Sequence, residues 1–339
     1  MEILLYTIVF LLLLVVSNVT NRFLPQLPLP LVQIVLGISL GFILPQEKFH
    51  LDTELFLALV IGPLLFREAE ESNITSILKH WRIVLYLIFP VIFISTVGLG
   101  YLAHLLWGAL PLAACVAVGA ALGPTDLVAF ASLSERFSFP KRVENILKGE
   151  GLLNDASGLV AFRVALLAWI TGSFSLGKAS ISLVLSIIGG FAAGMASAAL
   201  NRWLHKLLMS AQVSDIASEL LLELSLPLVT FFLAEEIHVS GIIAVVVAGI
   251  FKASRFKRIT LLEAQVDSVT ETIWNTVNFM LNGSVFIILG MELEMISEPI
   301  LKSPIYDNLL LLVSIVLLTF LLFALRFVML FTFYFIRIR

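Results

Sequence analysis

The chain has 339 residues, 60% of them hydrophobic and only 13% charged, with a formal net charge of −3. Soluble globular domains carry roughly 25% charged residues, so a single water-soluble core of this length is excluded. The small net charge points to no nucleic acid and no acidic partner. Cys115, the single cysteine, lies in an apolar run, which excludes a disulfide framework or a thiolate metal site.

The first apolar run, Ile3 to Val16, has no Lys or Arg before it and no small-residue cleavage site after it. It therefore reads as a membrane span and not as a signal peptide. A bilayer-crossing helix needs about 20 mostly apolar residues, fewer where it is bent or shielded. On that basis eleven spans are expected, near 3–19, 27–44, 54–67, 82–107, 110–133, 143–171, 178–200, 219–236, 239–251, 272–291 and 309–336. The fold class is an all-α polytopic membrane protein, a single transmembrane domain over 1–339. The connection 252–271 reads either as a basic interfacial helix on the cytoplasmic face or as plain orienting charge.

The positive charges orient these spans. Sixteen of the 21 Lys and Arg fall in alternate loops and at the C-terminus, against three (Lys48, Lys178 and Lys302) on the opposite side. Cytoplasmic loops carry the excess of positive charge. The expected topology has the N-terminus outside and the C-terminus in the cytoplasm of a cell membrane.

The remaining two, Arg163 and Arg326, lie within spans, as do several carboxylates. Charge at membrane depth is costly and marks function by default. In the fifth span Gly123-Pro124 interrupts the apolar run. Proline has no N–H to give, so the Ala120 carbonyl loses its helical partner. Thr125 and Asp126 then stand where the caps of a second half-helix belong. Broken helices of this kind form ion sites in secondary transporters.

The sixth span carries Glu150-Gly-Leu-Leu-Asn-Asp155. Asp155 falls near the middle of its apolar segment, with Glu150 about 7–8 Å away along the axis. Burial raises the pKa of a carboxyl and a nearby cation lowers it. Asp155 is therefore suited to hold a proton or a cation, one excluding the other. Arg326 in the last span needs an anion, and Glu150 is the candidate partner. Arg163 is expected to snorkel outward. Asn275, Asn278 and Asn282 share a helical face and are expected to bond neighbouring helices.

At these residues the chain resembles the monovalent cation:proton antiporters of the NhaP/NHE type. The likeness rests on Gly123-Pro-Thr-Asp-Leu-Val-Ala129 with Lys148-Gly-Glu-Gly-Leu-Leu-Asn-Asp-Ala-Ser157, on Ser240 to Gly249, and on Phe286 to Leu293 with Arg326 downstream. Pro63-Leu-Leu-Phe66 is similar to the family's third-span signature. The resemblance implies an inverted-repeat bundle in which a core domain moves against a dimerisation domain. It implies that Asp155 alternately binds cation and proton beside Asn154, that Asp126 and Thr125 complete the cation site, and that Glu150 pairs with Arg326. Asn before the key Asp implies electroneutral exchange of one cation, Na⁺ first with Li⁺ or K⁺ as alternatives, for one proton. A homodimer in the lipid bilayer is implied as well, and no cofactor is expected.

Three departures accompany the likeness. Gly151 stands where the family has Ser, Leu127 replaces its proline, and Arg67-Glu68 follows Phe66 where Glu comes directly. The family continues for two further spans, so an incomplete second repeat is expected. Two other readings compete: a non-transporting, truncated or regulatory relative, and an intramembrane aspartyl protease using Asp126 and Asp155. No nucleotide-binding loop or metal-protease motif is present in the sequence, and no enzyme is expected.

Overall fold

The computed structural model describes residues 2–43, 52–72, 79, 81–125, 140–171, 176–211, 215–253, 261–302 and 308–338. For some of these, Asp155 among them, the description extends to the backbone only. Asp126, Leu127, Lys48, Arg136 and the basic run 255–258, for which the sequence raises expectations, lie outside the described residues.

Counting two π turns with the helices they interrupt, the described residues form eleven helical runs. They are α1 (Glu2–Phe23), α2 (Leu29–Ile43), α3 (Thr53–Phe56, the π turn Leu57–Ile61 and Gly62–Glu71), α4 (Trp81–Tyr86, the π turn Leu87–Val91 and Ile92–Leu106), α5 (Leu112–Leu122), α6 (Lys141–Thr171), α7 (Leu176–Ser210), α8 (Ile216–Glu236), α9 (Gly241–Ala253), α10 (Leu261–Lys302) and α11 (Asn308–Ile338). No strand occurs among them. Each expected span contains one run. Both π turns have a proline at hand, Pro63 two residues after the first and Pro90 inside the second. A missing proline N–H leaves a carbonyl without its donor, and the helix widens there.

Two helices exceed expectation. The stretch 261–271 does not form a separate interfacial helix but the first turns of α10, a continuous helix of 42 residues. No Gly or Pro occurs between Leu261 and Gly283 to end it. Likewise α7 runs to Ser210, ten residues past the apolar segment. Sharp starts follow ordinary capping. The Asp215 carboxylate accepts the Ser218 N–H at 2.9 Å, and Asp52 accepts those of Glu54 and Leu55 at 2.9 and 3.2 Å.

The described helices gather into two compact units. The first holds α1, α2, α3, α8, α9, α10 and the part of α7 from Gly189 onward. Here α2 and α10 cross backbone to backbone. A Cβ on Gly37 would stand 2.2 Å from the Ile287 carbonyl oxygen, and one on Gly290 2.2 Å from that of Ile34. Small residues allow this approach, and close packing holds helices together where lipid offers no hydrophobic drive. Several charges in this unit are paired. Lys252 meets both Glu70 (2.9 Å) and Glu223, and Arg67 meets Glu70 (3.0 Å) and Glu71 (2.6 Å). His205 pairs with Glu219. Asn275 is exposed and the buried Asn278 Oδ1 has no hydrogen-bond partner among the described residues, so the expected asparagine bonds between helices are not seen for these two.

The second unit holds α4, α5, α6, α11 and the first part of α7. Its α4 and α11 are tied by Trp107 Nε1 donating to Ser314 Oγ (3.1 Å) and Tyr86 Oη donating to the Met329 carbonyl (3.1 Å). Outward, α11 exposes Leu309, Ile315, Phe320, Phe323 and Phe327, each at least 65% accessible. Such a face suits lipid and not water. Three helices, Ile216–Glu236, Ser268–Ser297 and Leu309–Thr332, are long and apolar enough to cross a bilayer by themselves among the described residues.

Candidate functional site at the break of the fifth helix

The site lies wholly within the second unit. It begins where α5 stops. Leu122 is the last helical residue, Gly123 follows with helical dihedrals (φ −66°, ψ −45°), and Pro124 and Thr125 are no longer helical. Pro124 forces the stop by lacking the N–H that the next turn requires.

Two close approaches hold the break in position. A Cβ on Gly119 would come 2.2 Å from the Thr96 carbonyl oxygen of α4, and one on Gly158 of α6 would come 2.2 Å from Pro124 Cγ. Any larger residue would push α5 off one neighbour or the other. Gly158 lies one turn beyond Asn154, so the contact that seats Pro124 also faces the break with the polar turn of α6.

On that turn Glu150 and Asn154 are 2% and 0% exposed. Asn154 Nδ2 donates to Thr125 Oγ1 at 2.9 Å, and the Thr125 hydroxyl donates to Glu150 Oε1 at 3.4 Å. Arg326 of α11 completes the cluster. Its Nη1 is 3.4 Å from Glu150 Oε1, and its Nη2 donates to the Gly123 carbonyl at 2.8 Å. A buried carboxylate without a counter-charge would cost several kcal/mol, which this guanidinium offsets. Two polar atoms of the cluster, Asn154 Oδ1 and Arg326 Nε, are buried with no hydrogen-bond partner among the described residues.

Of the residues singled out from sequence, Thr125, Asn154, Glu150 and Arg326 therefore meet within hydrogen-bonding distance. Asp155 occupies the next helical position after Asn154, with its side chain outside the description, and Asp126 lies outside the described residues altogether. Arg163 is half-buried, and Arg67 forms ion pairs with Glu70 and Glu71 on α3. The sequence reading did not find the Gly123 carbonyl as a second acceptor for Arg326, nor Gly158 as the seat of Pro124. The spacing of Gly158 one helical turn past Asn154 was the available signal.

A break at Gly123-Pro124, a buried Glu–Arg pair and a polar turn ending in Asn-Asp match a known family. The family model for the transmembrane sodium/hydrogen exchangers matches residues 7–338. The chain belongs to this family. Among its relatives is the "Sodium, potassium, lithium and rubidium/H(+) antiporter" of Bacillus subtilis (strain 168), 38% identical over 327 residues, covering 96% of this chain and 49% of that protein. An uncharacterized Na(+)/H(+) exchanger of Escherichia coli (strain K12) is 34% identical over 314 residues, covering 91% of this chain and 56% of its own length. The chain thus spans about half the length of the curated relatives it matches. In solved structures, the sodium proton antiporter MjNhaP1 from Methanocaldococcus jannaschii aligns with a TM-score of 0.66 at 18% identity, over 86% of this chain and 71% of that one. That likeness establishes the fold.

Proposed function

We propose that this chain exchanges a monovalent cation for a proton across a cell membrane, with Asp155 as the group that carries each in turn. One observation carries the reading. The buried Glu150 has its own fixed counter-charge in Arg326, at 3.4 Å, so it has no need of a travelling cation. The task of binding that cation falls to Asp155 and Asp126, the carboxylates that follow Asn154 and Thr125 in sequence, with Asn154 and Thr125 as neutral oxygen ligands. A carboxylate in a low dielectric is unfavourable as a bare anion. It holds either a proton or a cation at each moment, and the two compete for one group. Exchange is the consequence.

The residue before Asp155 is neutral, and Glu150 is neutralised by Arg326. One cation then replaces one proton on a single titrating carboxylate, an electroneutral cycle. Na⁺ is the first candidate, with Li⁺ and K⁺ as alternatives, in keeping with the breadth of ions in the name of the Bacillus subtilis relative. The two structural units provide the bodies that such a cycle needs, the site-bearing unit as the moving core and the other as a scaffold and homodimer surface. The N-terminus is placed outside and the C-terminus in the cytoplasm, on the alternation of basic residues, with eleven helices crossing the lipid bilayer.

The test is cation-driven collapse of a pH gradient in everted membrane vesicles, with Na⁺, Li⁺ and K⁺ in turn. A cation response that vanishes in Asp155→Asn supports the reading. A chain that inserts normally but gives no response identifies a non-transporting relative.

A further inference from the structure

The last ten residues of α7, beyond its apolar segment, pack on the protein along one side only. His205 ties that side to α8 through Glu219, and Leu204 and Leu208 lie with it, partly covered. The other side is open. Leu200, Trp203 and Leu207, spaced i, i+3 and i+7, share a face on which Trp203 is 56% exposed and the two leucines 47% and 48%. Arg202 and Lys206, one turn apart, run along the edge of this face and are exposed as well.

Charge and depth narrow what this face can meet. In the same unit Arg67, Lys252 and His205 each meet a carboxylate. Arg202 instead lies over the Phe251 ring at 5.8 Å, and neither it nor Lys206 forms an ion pair among the described residues. There is no Asp or Glu anywhere in α7, from Leu176 to Ser210. A second copy docking through the same helix would therefore set like charges against each other. Water alone would leave an indole and two leucines exposed within two turns, and acyl chains alone would strand two cations. By helical rise Arg202, Trp203 and Lys206 stand about 3, 5 and 9 Å beyond Leu200, where the apolar segment ends. The polar layer on each side of a bilayer is about 5–7 Å thick. Tryptophan rings settle at that level, and basic residues on the cytoplasmic side meet anionic lipid there.

We propose that the C-terminal end of α7 is a docking surface for an anionic phospholipid of the cytoplasmic leaflet, with Arg202 and Lys206 on its headgroup phosphate and Leu200, Trp203 and Leu207 along its acyl chains. The Phe251 ring holds the Arg202 guanidinium from behind, which reduces the freedom lost when the phosphate arrives. The His205–Glu219 contact fixes the opposite side of the helix to α8 and so keeps the basic edge turned outward. This surface belongs to the first unit, whereas the exchange site lies in the second.

The full chain, purified in detergent and stripped of lipid, is melted while dioleoylphosphatidylglycerol or dioleoylphosphatidylcholine is added, because a lipid that binds the folded state raises its melting temperature. One basic residue beside an anionic headgroup strengthens binding about fivefold. The parent should therefore need at least about tenfold less phosphatidylglycerol than phosphatidylcholine for the same rise. Arg202→Gln combined with Lys206→Gln should bring the two lipids within about twofold of each other. Arg22→Gln combined with Lys141→Gln removes the same charge from α1 and α6 and should keep the preference. Trp203→Ala should weaken both lipids and leave their ratio unchanged. Melting without added lipid reports that each variant is folded. A parent with no preference, or an equal loss of preference in both double variants, overturns the surface. So does inorganic phosphate that reproduces the phosphatidylglycerol rise without acyl chains. A parent that is dimeric, becomes monomeric in Trp203→Ala and shows no phosphatidylglycerol preference has a second copy on this face in place of lipid.

Discussion

The Arg326 guanidinium is shared between two partners on different helices. Nη1 lies 3.4 Å from the Glu150 carboxylate of α6, and Nη2 donates at 2.8 Å to the Gly123 carbonyl at the end of α5. One side chain from α11 thereby neutralises a buried anion and closes a carbonyl at the helix break. Because it also fixes α5 relative to α6, this contact sets the position of Thr125 against Asn154.

Removing one partner of this pair leaves an uncompensated buried charge. Glu150→Gln or Arg326→Gln alone should each destabilise the chain by about 3 kcal/mol. The double variant should lose less than the two effects summed, by at least about 1 kcal/mol. Thermal melting of the four proteins in detergent checks this. Strictly additive losses would mean that the pair contributes no coupling.

The seat of Pro124 admits no side chain on Gly158. In Gly158→Ala the new methyl would meet Pro124 Cγ at 2.2 Å, so the break must shift or α6 must move. Overpacking of this kind costs about 1–3 kcal/mol. Because the shift displaces Thr125 from Asn154, exchange should fall further than the folded fraction does. Equal losses of exchange and of folded protein would show that the contact is only structural.

Acid should loosen the start of α8. The Asp215 carboxyl is held below the usual carboxylate range by the hydrogen bonds it accepts from Ser218, side chain and backbone alike. A depressed folded-state pKa stabilises above the unfolded value and is lost as pH falls through the folded one. Amide exchange at Ser218, corrected for the intrinsic acid dependence, should therefore lose protection below the ordinary range for Asp, and Asp215→Ala should lack that protection at neutral pH. A pH-independent protection factor in the parent would remove the capping account.

Much of the fold was legible because apolar runs encode it directly. Each expected span holds one helical run, since a stretch such as Leu309–Phe335 leaves the backbone no option but a helix in lipid. The extended ends of α7 and α10 were not legible, because helix propensity continues past the apolar segment where nothing breaks it. In the site, Glu150 and Arg326 were singled out as charges in the wrong solvent, Thr125 by its place after Pro124, and Asn154 by the family resemblance. Gly119 and Gly158 carried no such signal. Their roles arise from where three helices meet, and an isolated Gly in an apolar run looks like packing. The second acceptor of Arg326 was hidden for a similar reason, being a main-chain carbonyl whose availability depends on the proline after it.

The most direct measurement is Na⁺-driven dissipation of a pH gradient in everted vesicles containing either the parent chain or Asp155→Asn, at matched amounts of inserted protein and across a range of pH. The account predicts a response in the parent that weakens as pH falls, because protons compete for the same carboxylate, and no response in Asp155→Asn. Retained exchange in that variant, or a parent rate that ignores acid, would contradict the shared carboxylate on which the proposed cycle depends.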